Sequence, residues 1–281
     1  MIPISAQTRI AGVVGRPVRH SLSPVIHNAW IEAAGLDAVY LAFAPPADGF
    51  GRLVEGLRGG VVLGLNVTIP FKEHALAAAE RATDRARRAG AANVLGFNED
   101  GGVVADNTDG AGLVLALRGA GWRPEAGPVV LLGAGGAARG AILALLDAGA
   151  PEVVVVNRTL ERAQALCGLD PRVSAHGMDS PPPGLPEAAA LVNATSLGMT
   201  GQPPLQFDLG GLPETAVVMD MVYRPLETGL LRAARARGLR TADGLSMLIG
   251  QAVPSFETFF GRLPPEGADV RALCEAALGG R

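Results

Sequence analysis

The chain has 281 residues and a formal net charge of −3, and 48% of its residues are hydrophobic while 18% are charged. This balance is typical of a globular protein with a large core, and it excludes a disordered chain. The weakly acidic charge provides no electrostatic surface for nucleic acid, and no apolar run is as long as a membrane span. We therefore expect neither nucleic acid nor a membrane as a partner.

The start of the chain lacks the apolar region and the cleavage site of a secretory signal, because the charged residue Arg9 interrupts the segment too early. Cys167 and Cys274 are far apart and form no CxxC motif, so we expect two buried thiols in a reducing compartment. The four histidines show no spacing typical of metal ligands. These features predict a cytoplasmic protein without a metal site.

Short β-branched runs alternate with longer stretches rich in alanine and leucine, which predicts an α/β fold with parallel sheets. The strands expected in the first part of the chain are residues 9–14, 38–43, 62–67, 92–97 and 103–106. The last two flank a polar turn with two glycines and therefore predict a hairpin. Between the first two strands a helix is expected from Ser23, a candidate cap, with Pro24 in its first turn.

A connecting helix at 109–120 leads into a second α/β block. The elements expected there are strands at 129–133, 152–157, 190–193 and 217–221 and a helix at 136–148. From Leu245 onward the pattern indicates two helices separated by Pro264-Pro265. We predict two domains with a cleft between them: a substrate-type α/β domain of residues 1–108, completed by helices at 246–281, and a Rossmann-like domain of residues 109–245.

The second block begins with a strand that runs into a glycine-rich turn and then a helix. Gly133 permits the tight turn, Gly135 lets the backbone approach a pyrophosphate, and Ala138 lets the helix pack close to the strand. The free N–H groups of the helix N-terminus would face the phosphates. The turn residues predicted to bind a dinucleotide are Gly133, Ala134, Gly135, Gly136 and Ala137. The alternative is a strand–helix turn that binds no ligand.

The end of the next strand indicates which dinucleotide is bound. An NAD site would place an acid there to hold the ribose 2′-hydroxyl, whereas this chain has Asn157, followed by Arg158 and Arg162. An arginine fork pairs well with a 2′-phosphate, and a carboxylate would repel it. The pattern therefore predicts NADP, although Arg158 and Arg162 could also be an exposed pair on a helix.

Lys72 is the only lysine in the chain, and it follows an apolar run, where a solubilising charge is least needed. A half-buried lysine can be tuned to give or take a proton, which arginine cannot do. Asn66 and Thr68 lie on the same side of a strand end, and Asp109 follows a later strand. Each could have a plain structural role, as a turn former or helix cap, but together they indicate a binding crevice.

Several motifs occur together in one order along the chain. They are His20-Ser21-Leu22-Ser23-Pro24, Asn66-Val67-Thr68-Ile69-Pro70-Phe71-Lys72, Asn107-Thr108-Asp109-Gly110, the glycine-rich turn, Asn157-Arg158-Thr159, Asn193-Ala194-Thr195 and Gly244-Leu245-Ser246-Met247-Leu248 through Gln251. In these motifs the chain resembles the shikimate dehydrogenase family from end to end. The resemblance implies reversible, NADP-dependent reduction of 3-dehydroshikimate to shikimate in aromatic amino-acid biosynthesis.

The resemblance also implies roles for individual residues. Lys72 and Asp109 would be catalytic, and Ser21 and Ser23 would hold the substrate carboxylate. The residues expected at the ring hydroxyls are Asn66, Thr68, Asn93, Tyr223 and Gln251. The residues expected at NADP, beyond the glycine-rich turn, are Asn157, Arg158, Thr159, Arg162, Thr195, Met221 and Gly244.

Two alternatives stay open at this point. A relative with relaxed use of substrate or cofactor would also oxidise quinate, with NADP or NAD. A nucleotide-sensing protein without catalysis would need neither Lys72 nor Asp109, and both are present. The sequence identifies no self-complementary surface, so a monomer and a homodimer are both compatible with it.

Overall fold

A computed structural model describes residues 4–279 of the chain. They divide into two compact units: one contains the residues up to Thr108 together with those from Gln251 onward, and the other contains Asp109–Gly250. No helix among the described residues is both long enough and apolar enough to cross a membrane. The fold is α/β, as expected, and each unit has its own six-stranded sheet.

The first unit has a mixed sheet. Its strands are β1 (Arg9–Val14), β2 (Ala38–Phe43), β3 (Val62–Val67), β4 (Arg81–Ala82), β5 (Val94–Phe97) and β6 (Val103–Asp106). They are ordered β2-β1-β3-β5-β6-β4. β1 is parallel to β2 and β3, whereas β5 and β6 form the expected antiparallel hairpin, so this sheet is mixed and not fully parallel.

The helices of the first unit come from both ends of the chain. They are α1 (Ser23–Ala33), α2 (Phe50–Leu57), α3 (Lys72–Ala77), α4 (Asp84–Ala89), most of α9 (Gly244–Phe260) and α10 (Val270–Gly279). α10 packs against α1. α9 contributes Phe256, which meets the Trp30 ring of α1 edge-on at 5.6 Å between centroids. Burial of such aromatic side chains anchors the terminal helices on this unit.

The second unit is a doubly wound parallel sheet. Its elements are α5 (Asp109–Gly119), β7 (Val129–Leu132), α6 (Gly136–Asp147), β8 (Val153–Val156), α7 (Leu160–Gln164), β9 (Val173–His176), β10 (Ala190–Asn193), β11 (Val217–Asp220), α8 (Gly229–Ala236) and β12 (Arg240–Ala242). The strands are all parallel in the order β12-β11-β10-β7-β8-β9. The order reverses between β7 and β10, and ligands of such sheets bind at this switch point.

The strands of the second unit are buried on both faces. On β7, Val129 and Leu131 join one apolar core, whereas Val130 and Leu132 join the core on the opposite face. Trp122, just after α5, is buried in the first of these cores. This alternation explains why the strands read as continuous apolar runs, which is typical of parallel sheets covered by helices.

Two expectations about single residues are wrong. Ser23 is not the cap of α1: the cap position is Leu22, whose side chain makes no cap hydrogen bond, and Ser23 is the first residue of the helix itself. Cys167 is only half-buried, whereas Cys274 is fully buried, and both are free thiols.

Candidate active site

The glycine-rich turn between β7 and α6 can hold a phosphate. Gly133 has φ of +105°, and a Cβ added there would lie 2.7 Å from Thr195 Cγ2, so only glycine fits. At Gly135 and Gly136 an added Cβ would meet nothing within 4 Å, so the space above the turn is open. Ala138 is fully buried and brings α6 close to the sheet. Because α6 begins at Gly136, its unpaired N–H groups border the open space.

The turn after β8 presents two cations. Asn157 is half-buried, and its side-chain amide donates to the Thr159 carbonyl at 2.8 Å, which fixes the turn. Arg158 and Arg162 are exposed, and among the described residues neither side chain has a hydrogen-bond or ion-pair partner. α7 begins only at Leu160, so the two arginines are not a pair on one helix. With no acid at the strand end, these residues fit a dinucleotide that carries a 2′-phosphate.

The loops after β10 and β11 are held by a buried cluster, the Asp220 cluster, made of Asn193, Thr195, Asp220 and Thr228. The Asp220 carboxylate accepts hydrogen bonds from the Asn193 amide at 2.9 Å and the Thr228 hydroxyl at 2.7 Å, and also from the backbone N–H of Val222. Thr195 donates to the Asn193 amide oxygen at 2.7 Å. Burial raises the pKa of Asp220, and these hydrogen bonds lower it only in part.

The Asp220 cluster positions several predicted ligand contacts. Met221 and Tyr223 follow Asp220 closely, and Thr195 is itself a member. A Cβ added at Gly244 would overlap the Met221 carbonyl, so the structure brings these two predicted cofactor residues together. The sequence reasoning did not single out Asp220, although one signal was present: a charged residue that ends an apolar strand.

In the first unit, α1 begins with the two predicted carboxylate-binding serines. Ser21 is half-buried, and its Oγ accepts a hydrogen bond from the Ser23 backbone N–H at 3.2 Å. Ser23 is buried, and its hydroxyl lowers the pKa of the Tyr40 phenol, against the larger opposite effect of burial. The two hydroxyls are therefore placed at the N-terminus of an eleven-residue helix, where an anion is favoured.

A second buried group, the Asn66 network, consists of Tyr40, Asn66, Asn93, Thr108, Gln251 and Ser255. The Asn66 amide nitrogen donates to the Asn93 carbonyl at 3.2 Å and to Ser255 Oγ at 2.9 Å. The Asn93 amide nitrogen donates to Gln251 Oε1 at 3.2 Å and to Thr108 Oγ1 at 3.0 Å. Thr108 donates from its hydroxyl to the Gln251 carbonyl at 3.0 Å.

The network gathers three predicted substrate residues, Asn66, Asn93 and Gln251, from distant parts of the sequence. All of its members are neutral, and each hydrogen bond fixes the orientation of an amide or a hydroxyl. Thr108 stands in one of the quoted motifs but is given no role by the sequence. Ser255 and Tyr40 have partners far away along the chain, so no local pattern identifies them.

The predicted catalytic pair is divided between the units. Lys72 is half-buried at the start of α3, and its carbonyl accepts the Ala92 N–H at 2.9 Å. Thr68, also half-buried, lies between β3 and α3. Asp109 begins α5 in the second unit and directly follows Thr108 of the network. Tyr223 is half-buried and also belongs to the second unit.

Comparison with known proteins identifies the family. Three family models match the chain: the shikimate dehydrogenase substrate binding domain over residues 13–95, shikimate / quinate 5-dehydrogenase over residues 121–198, and the shikimate 5'-dehydrogenase C-terminal domain over residues 244–274. A shikimate dehydrogenase (NADP(+)) of Caulobacter vibrioides is 58% identical over 279 residues, which cover 98% of each chain.

Solved structures agree with this assignment. Shikimate 5-dehydrogenase of Thermus thermophilus, in complex with NADP(H) and shikimate, has a TM-score of 0.85 at 36% identity, covering 95% of this chain and 99% of that one. Quinate dehydrogenase of Corynebacterium glutamicum, in complex with NAD, has a TM-score of 0.86 at 30% identity, covering 97% and 99%. The chain belongs to the shikimate dehydrogenase family.

Proposed function

We propose that this protein is an NADP-dependent shikimate dehydrogenase, which reversibly reduces 3-dehydroshikimate to shikimate in aromatic amino-acid biosynthesis. The observation that carries the proposal is the 58% identity, over nearly the whole chain, to a relative named for this activity with NADP(+). The turn after β8 supports the choice of cofactor. Among the described residues its Arg158 side chain has no protein partner, and Asn157 stands where an NAD site would have an acidic residue.

In the second unit, the cofactor phosphates would lie above the glycine-rich turn, at the N-terminus of α6. Arg158 would pair with the 2′-phosphate, with Arg162 beside it. The residues assigned to the cofactor are Gly133, Ala134, Gly135, Gly136, Ala137, Asn157, Arg158, Thr159, Arg162, Thr195, Met221 and Gly244. When bound, NADPH supplies the hydride for reduction of the ketone.

Hydride addition to a ketone leaves negative charge on its oxygen, and a proton must meet that charge. Lys72 would hydrogen-bond to this oxygen and hold the proton at its ε-amino group, an effect typically worth about 10²–10⁴-fold in rate. Asp109 would orient Lys72 and the neighbouring ring hydroxyl. Ser21 and Ser23 would bind the carboxylate, and the remaining substrate contacts assigned are Asn66, Thr68, Asn93, Tyr223 and Gln251.

The activity is tested by following NADPH formation with shikimate and with quinate, and by repeating both assays with NAD. We expect strong activity only with shikimate and NADP. Equal rates with quinate or with NAD would favour the alternative of relaxed specificity, which the similarity to an NAD-bound quinate dehydrogenase makes worth measuring. No turnover of either compound would contradict the enzyme assignment.

The lysine assignment has an independent test, because Lys72 is the only lysine in the chain. An amine-reactive reagent can therefore modify only this side chain and the terminal amine. We expect modification of Lys72 to stop turnover, and saturating shikimate with NADP to protect it, as read by peptide mapping. Modification of Lys72 without loss of activity would contradict its catalytic role.

Location and assembly complete the proposal. We assign the protein to the cytoplasm, in keeping with its biosynthetic role and with two free thiols among the described residues. Its substrate is a small molecule, and a monomer or a homodimer is equally compatible with that role. Light scattering at several protein concentrations distinguishes the two.

A further inference from the structure

The hydroxyl of Tyr40 contacts a residue that we assign to the substrate. Tyr40 lies on β2 and is fully buried. Its hydroxyl donates to Asn66 Oδ1 at 2.7 Å. Asn66 is assigned to a ring hydroxyl of the substrate. The phenol group therefore fixes the geometry of one substrate contact.

The Tyr40 ring is itself held in place by His27 of α1. The two rings stack at 4.2 Å between centroids with only 3° between their planes. Neither His27 nitrogen has a hydrogen-bond partner among the described residues. Burial lowers the pKa of His27 to about 3, so the ring is neutral at any working pH. His27 thus serves as a flat packing surface for Tyr40.

The protonation of Tyr40 is also fixed. Burial raises the pKa of its phenol well above the ordinary value, against the smaller opposite effect of the hydrogen bond from Ser23. The phenol therefore keeps its proton. Its O–H group always acts as the donor to Asn66.

The hydrogen bonds of Asn66 to other protein groups leave only its side-chain oxygen able to contact a ligand. Its amide nitrogen has two hydrogens, and these are donated to the Asn93 carbonyl and to Ser255 Oγ. Its oxygen has two lone pairs, and one accepts the Tyr40 hydroxyl. What remains is a single acceptor lone pair on Oδ1. A ligand that contacts Asn66 in this arrangement must donate a hydrogen bond to it.

We propose that Tyr40, stacked on His27, is a positioning residue that turns the Asn66 oxygen toward the substrate as a hydrogen-bond acceptor. The proposal rests on the proposed function, in which Asn66 contacts shikimate. It specifies the chemistry of the contact: Asn66 recognises a hydroxyl through the donated hydrogen. A methyl ether or a deoxy compound at that ring position would lose the contact.

The test begins with Tyr40→Phe, which keeps the ring and its stack on His27 and removes only the hydroxyl. We expect KM for shikimate to rise about tenfold, because a buried acceptor loses its donor and the Asn66 amide loses one of the three hydrogen bonds that hold it. kcat should change less, since the contact is made equally in the ground state and the transition state. KM for NADP should stay within about twofold, and calorimetry should give the same loss in Kd for shikimate.

A double-mutant cycle with Asn66→Ala separates positioning from general loosening. If Tyr40 acts through Asn66, Tyr40→Phe should raise KM no further once Asn66 is alanine. Phe256→Leu is the matched control. It removes a fully buried ring that also contacts His27 but that makes no hydrogen bond. It should lower Tm at least as much as Tyr40→Phe while KM for shikimate stays within about twofold.

Each contrary result has a distinct meaning. Additive effects in the cycle, or an equal rise of KM in Phe256→Leu, would overturn the positioning role of Tyr40. A normal KM in Tyr40→Phe, with a raised KM in Asn66→Ala, would overturn it too and leave the proposed function intact. If the wild-type protein neither binds nor oxidises shikimate, the proposed function fails and this inference fails with it.

Discussion

The two units orient their polar groups in different ways. In the first, the Asn66 network uses only hydroxyl and amide side chains, each aimed by its neighbours. In the second, the proposed phosphate contacts come mainly from backbone at Gly133–Gly136, and the fully buried acid Asp220 orders two loops. Under the proposed function, substrate recognition would depend on side-chain identity, whereas cofactor recognition would depend on backbone shape supplemented by exposed arginines.

The largest effect on turnover is expected from a residue outside both the Asn66 network and the Asp220 cluster. Lys72→Ala should lower kcat by about 10²–10⁴-fold, because the proton donor is lost. Tm should hardly change, since Lys72 is half-buried at the start of α3. Steady-state kinetics and thermal unfolding measure the two quantities. Lys72→Arg is the control: it keeps the charge, but a guanidinium does not release its proton, so full turnover in this variant would contradict the proton-donor role.

Asp220→Ala should lower the stability of the second unit and leave that of the first unchanged. It leaves the Asn193 amide, the Thr228 hydroxyl and the Val222 N–H without their acceptor, and we expect a loss of about 3 kcal/mol in the free energy of unfolding. Asp220→Asn, which keeps an oxygen acceptor, should lose less. Urea unfolding, followed by a probe in each unit, measures both variants. A loss confined to the first unit would contradict this account.

The pH dependence of stability also tests the role of the buried Asp220 side chain. Because burial raises the pKa of Asp220, the folded protein holds this proton more tightly than the unfolded chain. The stability contributed by the group is therefore present at low pH and is lost as pH rises through the folded pKa. Asp220→Asn should remove this decline. An unchanged pH profile in that variant would show that another group is responsible.

Arg158→Ala tests the side-chain part of cofactor recognition. The loss of a charged hydrogen bond to phosphate should raise KM for NADP by about 10- to 100-fold and leave the weak reaction with NAD unchanged. Arg118→Ala, an exposed arginine at the end of α5 in the same unit, is the matched control. Equal losses with NADP and NAD would contradict a 2′-phosphate contact.

The smallest effect concerns acid stability of the first unit. His27 has a pKa of about 3 in the folded state, against 6.5 as the ordinary value, so the unfolded chain binds more protons between these values. Stability should therefore fall as pH drops below 6.5, and the part due to His27 should reach about 2 kcal/mol at pH 5. His27→Leu should flatten this slope in unfolding experiments. Phe259→Leu, at a buried ring that contacts His27 and carries no titratable group, should keep the slope.

Much of the fold follows from local sequence. The strand at Arg9–Val14 was predicted with its correct ends, and so were the hairpin turn and the start of α6, because alternation, glycine and helix-start signals act over a few residues. The position of Gly133 was predictable for the same reason: a strand that ends in a tight turn requires a positive φ.

The buried polar groups could not be predicted in this way. Asn66 and Ser255 are 189 residues apart, and Asn93 and Gln251 are 158 apart, so their pairing depends on tertiary structure. Ser23 shows the limit of a local rule, because its sequence context is that of a helix cap while it is the first residue of the helix itself. Motif resemblance selects the residues, but it does not show which atoms face the ligand.

The two buried tryptophans provide a separate optical signal for each half of the molecule. Trp30 meets the His27 and Phe256 rings edge-on in the first unit, and Trp122 lies in an apolar core of the second. These are the only tryptophans in the chain, so replacing either one leaves a single emitter. Fluorescence of the Trp122→Phe variant would then follow melting around the Tyr40–His27 stack, and that of Trp30→Phe would follow melting of the parallel sheet.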